Sequence, residues 1–247
     1  MIQNRWNRHE VYCKADYWDA KADEYGGTAV SGWPNQSLNV FYDKRELEIL
    51  NSYLPQIDGA QVLDLGCGTG RIARYLAARN ANVLGIDFSA KAIEVAKQQS
   101  PSANPAYRVQ TIFELKEDKQ FDIALSFGCL AVACTNRDTL ATALTNVFNS
   151  LKPGGRILLL EPIHRGSLHF VLNMNVREFL EVMEEVGFAV KDATALHFWP
   201  IVRILGHVNW PRILTVAGYR LGEWMLTLLG GTYFGDYKAI LAFRSEE

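Results

Sequence analysis

The sequence predicts an α/β fold on a largely parallel sheet, with helices on both faces. Three observations carry this. From Gln61 onward, short apolar runs alternate with amphipathic segments, the pattern of strands buried on both faces and joined by helices. The first run, Val62 to Leu65, leads directly into a glycine turn, Gly66-Cys67-Gly68-Thr69-Gly70. The composition is that of an ordinary globular chain, with 247 residues, 49% hydrophobic, and 25 Lys+Arg against 27 Asp+Glu for a formal net charge of −2. Such a length suits one domain, or one domain carrying an insertion. The balance excludes disordered and collagen-like classes. It also argues against a nucleic-acid binder, which needs a basic face to displace counterions.

Residues 1–55 read as an N-terminal helical cap on the substrate side. Val11, Ala15, Trp18, Ala22 and Tyr25 fall at helical spacing up to a break at Gly26-Gly27, and a second helix runs from about Phe41 to Leu54, where Pro55 ends it. Residues 56–247 form the main domain. Its predicted strands are 62–65, 83–87, 107–110, 122–127 and 156–161, followed by 188–196 and 237–243. Helices are expected over 71–79, 91–98, 137–151 and 176–186. Ser89 is placed to cap the second of these and Thr135 with Asp138 to form a capping box on the third. A helical insertion spans about 198–235. Asn209-Trp210-Pro211 reads as a helix start, Gly230-Gly231 as its stop, and Leu214, Ala217, Leu221, Trp224, Met225 and Leu228 as one apolar face. Packing of that face on the protein's own core is the simplest expectation. A lid over an apolar acceptor and a peripheral membrane contact are the alternatives.

The chemistry concentrates around the glycine turn. Gly66, Cys67 and Gly68 let backbone N–H groups approach a ligand at the carboxyl end of the first strand. Asp64 lies inside the motif, and a carboxylate under the glycine loop repels a pyrophosphate but attracts the ammonium and sulfonium of S-adenosylmethionine. The third glycine also comes one place too early for G-x-G-x-x-G, whose register Arg71 occupies. Asp87 ends the second strand about 20 residues after the loop, where a carboxylate can grip a ribose diol, and Phe88 beside it can pack on adenine. Taken alone, Asp87 fits an NAD enzyme or a helix cap as well.

Together, VLDLGCGTG at 62–70, GIDFS at 85–89, FDIALSF at 121–127 and LKPGGRILLLEP at 151–162 resemble the class I S-adenosylmethionine-dependent methyltransferases. The resemblance runs from Val62 to Glu161 and extends through the last strand pair. It implies a Rossmann-like sheet of seven strands in the order 3-2-1-4-5-7-6 with the last antiparallel, and S-adenosylmethionine as cofactor. It also implies that Tyr25 lines the cofactor pocket. The acidic residue that such proteins often carry after the third strand is replaced by Thr111, so that the Thr111 hydroxyl or the Ile112 N–H is expected to meet the adenine. Ser126, at the end of the fourth strand, is expected against the methionine portion.

The acceptor is expected to be a small hydrophobic or aromatic molecule, methylated on oxygen or nitrogen. No Asn-Pro-Pro-aromatic run follows the fourth strand, where Ser126-Phe127-Gly128-Cys129 stands instead, so nucleic acid is disfavoured. His164, just beyond the fifth strand, is the candidate general base for a hydroxyl acceptor. A nucleotide-dependent oxidoreductase and a cofactor-binding module without turnover are the rival readings. Cys13, Cys67, Cys129 and Cys134 form no CxxC and lack His partners at zinc spacing, so reduced thiols, a cytoplasmic setting and no metal are expected. No secretory leader or membrane-spanning run is apparent in the sequence.

Overall fold

The computed structural model describes residues 8–25 and 32–245. Its strands are β1 (Gln61–Leu65), β2 (Asn82–Asp87), β3 (Ala106–Val109), β4 (Phe121–Phe127), β5 (Leu151–Glu161), β6 (Phe188–Phe198) and β7 (Gly235–Arg244). They form one sheet in the order β3-β2-β1-β4-β5-β7-β6. The pairs from β3 to β5 are parallel, and β7 runs antiparallel to both its neighbours, as the resemblance implies.

The unbroken apolar runs follow from burial on both faces. In β5, Ile157 and Leu159 enter one core with α7 (Arg137–Ser150) and α8 (Val176–Val186), while Leu158 and Leu160 enter the opposite core with α4 (Arg71–Ala77) and α5 (Ala90–Gln98). Strand side chains alternate in direction, so a sheet covered by helices on both sides has no polar face. The end of α3 (Gln36–Tyr53) joins the second core through Ile49 and Leu50.

Local chemistry sets the helix starts. Ser89 Oγ accepts the Ala92 N–H at 2.9 Å, as expected of its cap. On α7 the cap lies one residue later than Thr135: Asn136 Oδ1 accepts the Thr139 N–H at 2.9 Å, and the Asn136 N–H reaches Thr139 Oγ1 at 3.1 Å. The first expected helix divides into α1 (Arg8–Tyr12) and α2 (Ala15–Tyr25). The Trp18 indole N–H donates to the Tyr12 carbonyl at 2.7 Å across the break. Asp19 anchors α2 on α5 by accepting the Ser89 hydroxyl at 2.5 Å and the Lys91 N–H at 3.2 Å. The expected Gly26-Gly27 break lies outside the described residues.

The insertion consists of α9 (Trp199–Gly206) and α10 (Arg212–Leu229), and α10 turns opposite to expectation. Leu221, Trp224 and Leu228, assigned to a packed face, are 50%, 60% and 69% exposed. The buried stripe is Thr215, Tyr219, Gly222 and Leu226. A Cβ on Gly222 would stand 3.0 Å from Phe198 Cβ, so the missing side chain permits close helix contact. Thr215 Oγ1 takes the Asn35 side-chain amide at 3.0 Å, and the Tyr219 hydroxyl meets His197 Nδ1 at 2.9 Å. Hydrophobic periodicity overlooks a face built from small and hydrogen-bonding residues. Among the described residues no helix is long and apolar enough to cross a membrane.

Candidate active site

The carboxyl ends of β1, β2 and β4 and the amino end of β7 open into one cavity of about 690 Å³. This is the edge where open α/β sheets bind ligands.

The glycine turn forms part of the cavity wall. Gly66 and Gly68 have φ of +64° and +52°, angles that a side chain strains. A Cβ on Gly66 would meet Cys129 at 2.7 Å, whereas one on Gly68 would meet nothing within 4 Å and would occupy cavity space. The Gly68 N–H donates to Asp87 Oδ2 and the Ser89 N–H to Asp87 Oδ1, each at 2.9 Å, so loop and acid orient each other. Burial raises the Asp87 pKa, and these two N–H bonds oppose the rise. Asp64 is buried on the same wall, and its Oδ2 has no hydrogen-bond partner among the described residues. Burial pushes its pKa up to about 7, with the Arg71 guanidinium pulling the other way. An unpartnered buried carboxylate oxygen needs a cation or a donor. That oxygen, together with the open space at Gly68, fits S-adenosylmethionine. Cys67, Phe88, Thr111 and Ile112 also line the cavity. The Thr111 hydroxyl donates to Glu114 Oε2 at 3.0 Å and keeps its acceptor lone pairs.

Two expected site residues belong elsewhere. Ser126 is fully buried below the cavity, its hydroxyl donated to Glu161 Oε1 at 2.5 Å, so it cannot meet the methionine portion. The next residues, Phe127 and Gly128, line the cavity instead. Glu161 also accepts the N–H groups of Cys129, Leu130 and Ala131 at 3.0 to 3.1 Å, fastening the β4 exit and the start of α6 (Leu130–Ala133) to β5. His164 is buried behind the wall rather than exposed to the cavity. Its Nε2 lies 2.8 Å from the Asp236 carbonyl oxygen and its Nδ1 3.4 Å from Lys238 Nζ. Both ring nitrogens are engaged, so the expected general base is a supporting residue. The Tyr25 side chain lies outside the described residues.

Residues that the sequence reading missed also line the cavity: Trp33, Tyr42, Asp236 and Tyr237. Tyr42 donates its hydroxyl to Asp236 Oδ2 at 2.8 Å and stacks on His197 with ring centroids 3.7 Å apart. A signal for Asp236 was present, because an antiparallel last strand brings its first residues to the edge where the parallel strands end. Tyr12, Tyr17, Trp18 and Phe170 supply further aromatic wall, with Tyr12 and Tyr17 packed edge to face at 5.0 Å. Cys13 lies there too and is exposed; burial raises its thiol pKa, and it raises those of Cys67 and Cys129 further, with Cys134 also raised.

Residues 62–155 match the family model described as a methyltransferase domain. An O-methyltransferase of Aspergillus nomiae, rstn1, is 35% identical over 108 residues, covering 43% of this chain and 48% of that protein. A ubiquinone biosynthesis O-methyltransferase of Rickettsia canadensis is 32% identical over 138 residues, covering 54% of this chain and 56% of that protein. The chain thus spans about half the length of these curated relatives. Among solved structures, a phosphoethanolamine-type N-methyltransferase of Haemonchus contortus, in complex with phosphomonomethylethanolamine and S-adenosylhomocysteine, superposes with a TM-score of 0.65. At 19% identity, over 96% of this chain and 60% of that one, the likeness is one of fold. Residues 62–155 thus match a methyltransferase domain, and the strand order and cavity are those of the class I, S-adenosylmethionine-dependent fold.

Proposed function

We propose that the protein transfers a methyl group from S-adenosylmethionine to a small hydrophobic or aromatic acceptor, on oxygen or nitrogen. The observation that carries this reading is one cavity lined both by Gly68, Asp64 and Asp87 and by the aromatic side chains of Tyr12, Trp18, Tyr42 and Phe170. Bound S-adenosylmethionine would supply an electrophilic methyl on a sulfonium. Asp87 and the Gly68 loop would hold the ribose, Asp64 would balance the positive charge, and the Ile112 N–H would meet the adenine. Tyr12, Trp18 and Phe170 would keep water from the reacting atoms. Positioning and desolvation then provide most of the acceleration, since an in-line methyl displacement needs little covalent help. The names of the two curated relatives favour oxygen, and that of the Haemonchus structure favours nitrogen. The four free cysteines support a cytoplasmic setting.

Isothermal titration should give binding of S-adenosylmethionine and S-adenosylhomocysteine and none of NAD. Transfer of a radiolabelled methyl to a panel of phenols and amines then tests turnover. Binding of NAD in place of the methyl donor would reverse the reading.

A further inference from the structure

The cavity also holds a charge that cofactor binding leaves unused. Asp236 is 6% exposed, lines the cavity and begins β7. Its Oδ2 accepts the Tyr42 hydroxyl, and its Oδ1 lies 3.6 Å from His164 Nε2. The His164 proton is placed on Nε2 by its partners, because the Asp236 carbonyl can only accept and Lys238 Nζ donates toward Nδ1. Lys238 is itself tied to the Gly235 carbonyl at 2.8 Å. The groups acting on the carboxylate are therefore Tyr42, His164, His197, Tyr237 and, through His164, Lys238. Burial pushes Asp236 up, but the His164 and Tyr42 contacts outweigh it and hold the carboxyl below its ordinary range.

We propose that Asp236 holds the nucleophilic atom of the acceptor, and that this atom is the oxygen or nitrogen of a hydroxyl or amine carried on an aromatic or similarly apolar body. The inference rests on the methyl-transfer reading. An ionised carboxylate offers only acceptor sites, and in a chamber walled by Trp33, Phe127 and Tyr237 it selects a ligand that brings an O–H or N–H. A carbon nucleophile brings no such donor. The hydrogen bond to Asp236 aims the lone pair of the acceptor away from the carboxylate. As the new bond to the methyl carbon forms and the carbon–sulfur bond breaks with its electron pair left on sulfur, the acceptor atom becomes positive. An oxygen then gives its proton to Asp236, which releases it to water. A nitrogen keeps its proton as an ammonium paired with the carboxylate.

Toluene, phenol and benzylamine share one ring and differ in the donor, so they isolate the role of Asp236. Saturation-transfer NMR and calorimetry should give phenol or benzylamine at least about tenfold tighter than toluene on the wild-type complex with S-adenosylhomocysteine. The preference should fall in Asp236→Asn, whose amide keeps one acceptor oxygen, and vanish in Asp236→Ala, while surviving in Tyr42→Phe. A wild-type complex that takes toluene as well as either donor, or takes none of the three, overturns the proposal. So does a preference that survives removal of the carboxylate, or one that Tyr42→Phe abolishes as completely. The same titrations read S-adenosylhomocysteine, whose affinity Asp236→Asn should leave within about twofold. Failure of the wild type to bind it would overturn the methyl-transfer reading instead.

Discussion

The residues proposed for the cofactor and those proposed for the acceptor are brought together in different ways. The cofactor set comes mainly from one stretch of sequence, residues 64–88, joined by Ile112, and is held largely by backbone groups such as the Gly68 and Ser89 N–H groups on Asp87. The acceptor set is drawn from side chains far apart in sequence: Tyr42 and Asp236, joined by one hydrogen bond, are separated by 194 positions. A backbone-built site tolerates almost any surrounding sequence, whereas a site of converging side chains changes with each of its contributors. Fixed donor chemistry and adjustable acceptor chemistry then coexist in one cavity.

The largest expected effect lies in the cofactor set. Gly68→Val adds a branched side chain at a positive φ and in open cavity space, and S-adenosylhomocysteine binding should fall by at least about 100-fold by calorimetry. Retained binding would show that the loop does not approach the ligand. Asp87→Ala comes next, with an expected loss of about 2–3 kcal/mol, again read by calorimetry, because two charge-assisted contacts to hydroxyls disappear. Comparable damage from Tyr42→Phe would erase the distinction between the two sets.

A smaller effect follows from Asp64. Its pKa of about 7 means that the group is protonated, and neutral, below that pH. Attraction for a cationic cofactor is therefore present above about pH 7 and is lost as pH falls through it, weakening binding by at most about tenfold per pH unit. Titrations at about pH 5.5 and 7.5 should show the loss in the wild type and a flatter response in Asp64→Asn. The smallest effect is expected in the insertion. Leu221→Ser, on the exposed side of α10, should change stability by less than about 0.5 kcal/mol in thermal unfolding. A large drop would mean that another surface covers this face.

The same division explains what the sequence disclosed. All seven strands lie near their expected places, because strands buried on both faces write their burial into consecutive residues. The glycine turn and Asp87 are local features, legible one by one, and the structure joins them by a hydrogen bond. Ser126 was misplaced because strand alternation turns it toward Glu161, while Phe127 takes the cavity side. His164 was expected to act as a general base, but only tertiary structure reveals that both its ring nitrogens are engaged. The orientation of α10 was missed because Thr215, Tyr219 and Gly222 pack through hydrogen bonds and close approach. Asp236 required both the strand order and the strand direction to be placed.

The contrast among the thiols has a practical use. Cys13 stands exposed on the cavity wall, while Cys67, Cys129 and Cys134 hold their protons more tightly in buried surroundings. Alkylating reagents react with the thiolate, so a maleimide dye should attach at one position without any engineering of the chain. An environment-sensitive fluorophore there would sit among Tyr12, Tyr17 and Trp18 and report occupancy of the chamber by its emission. Compound collections could then be screened for acceptors by fluorescence, before any product has been identified.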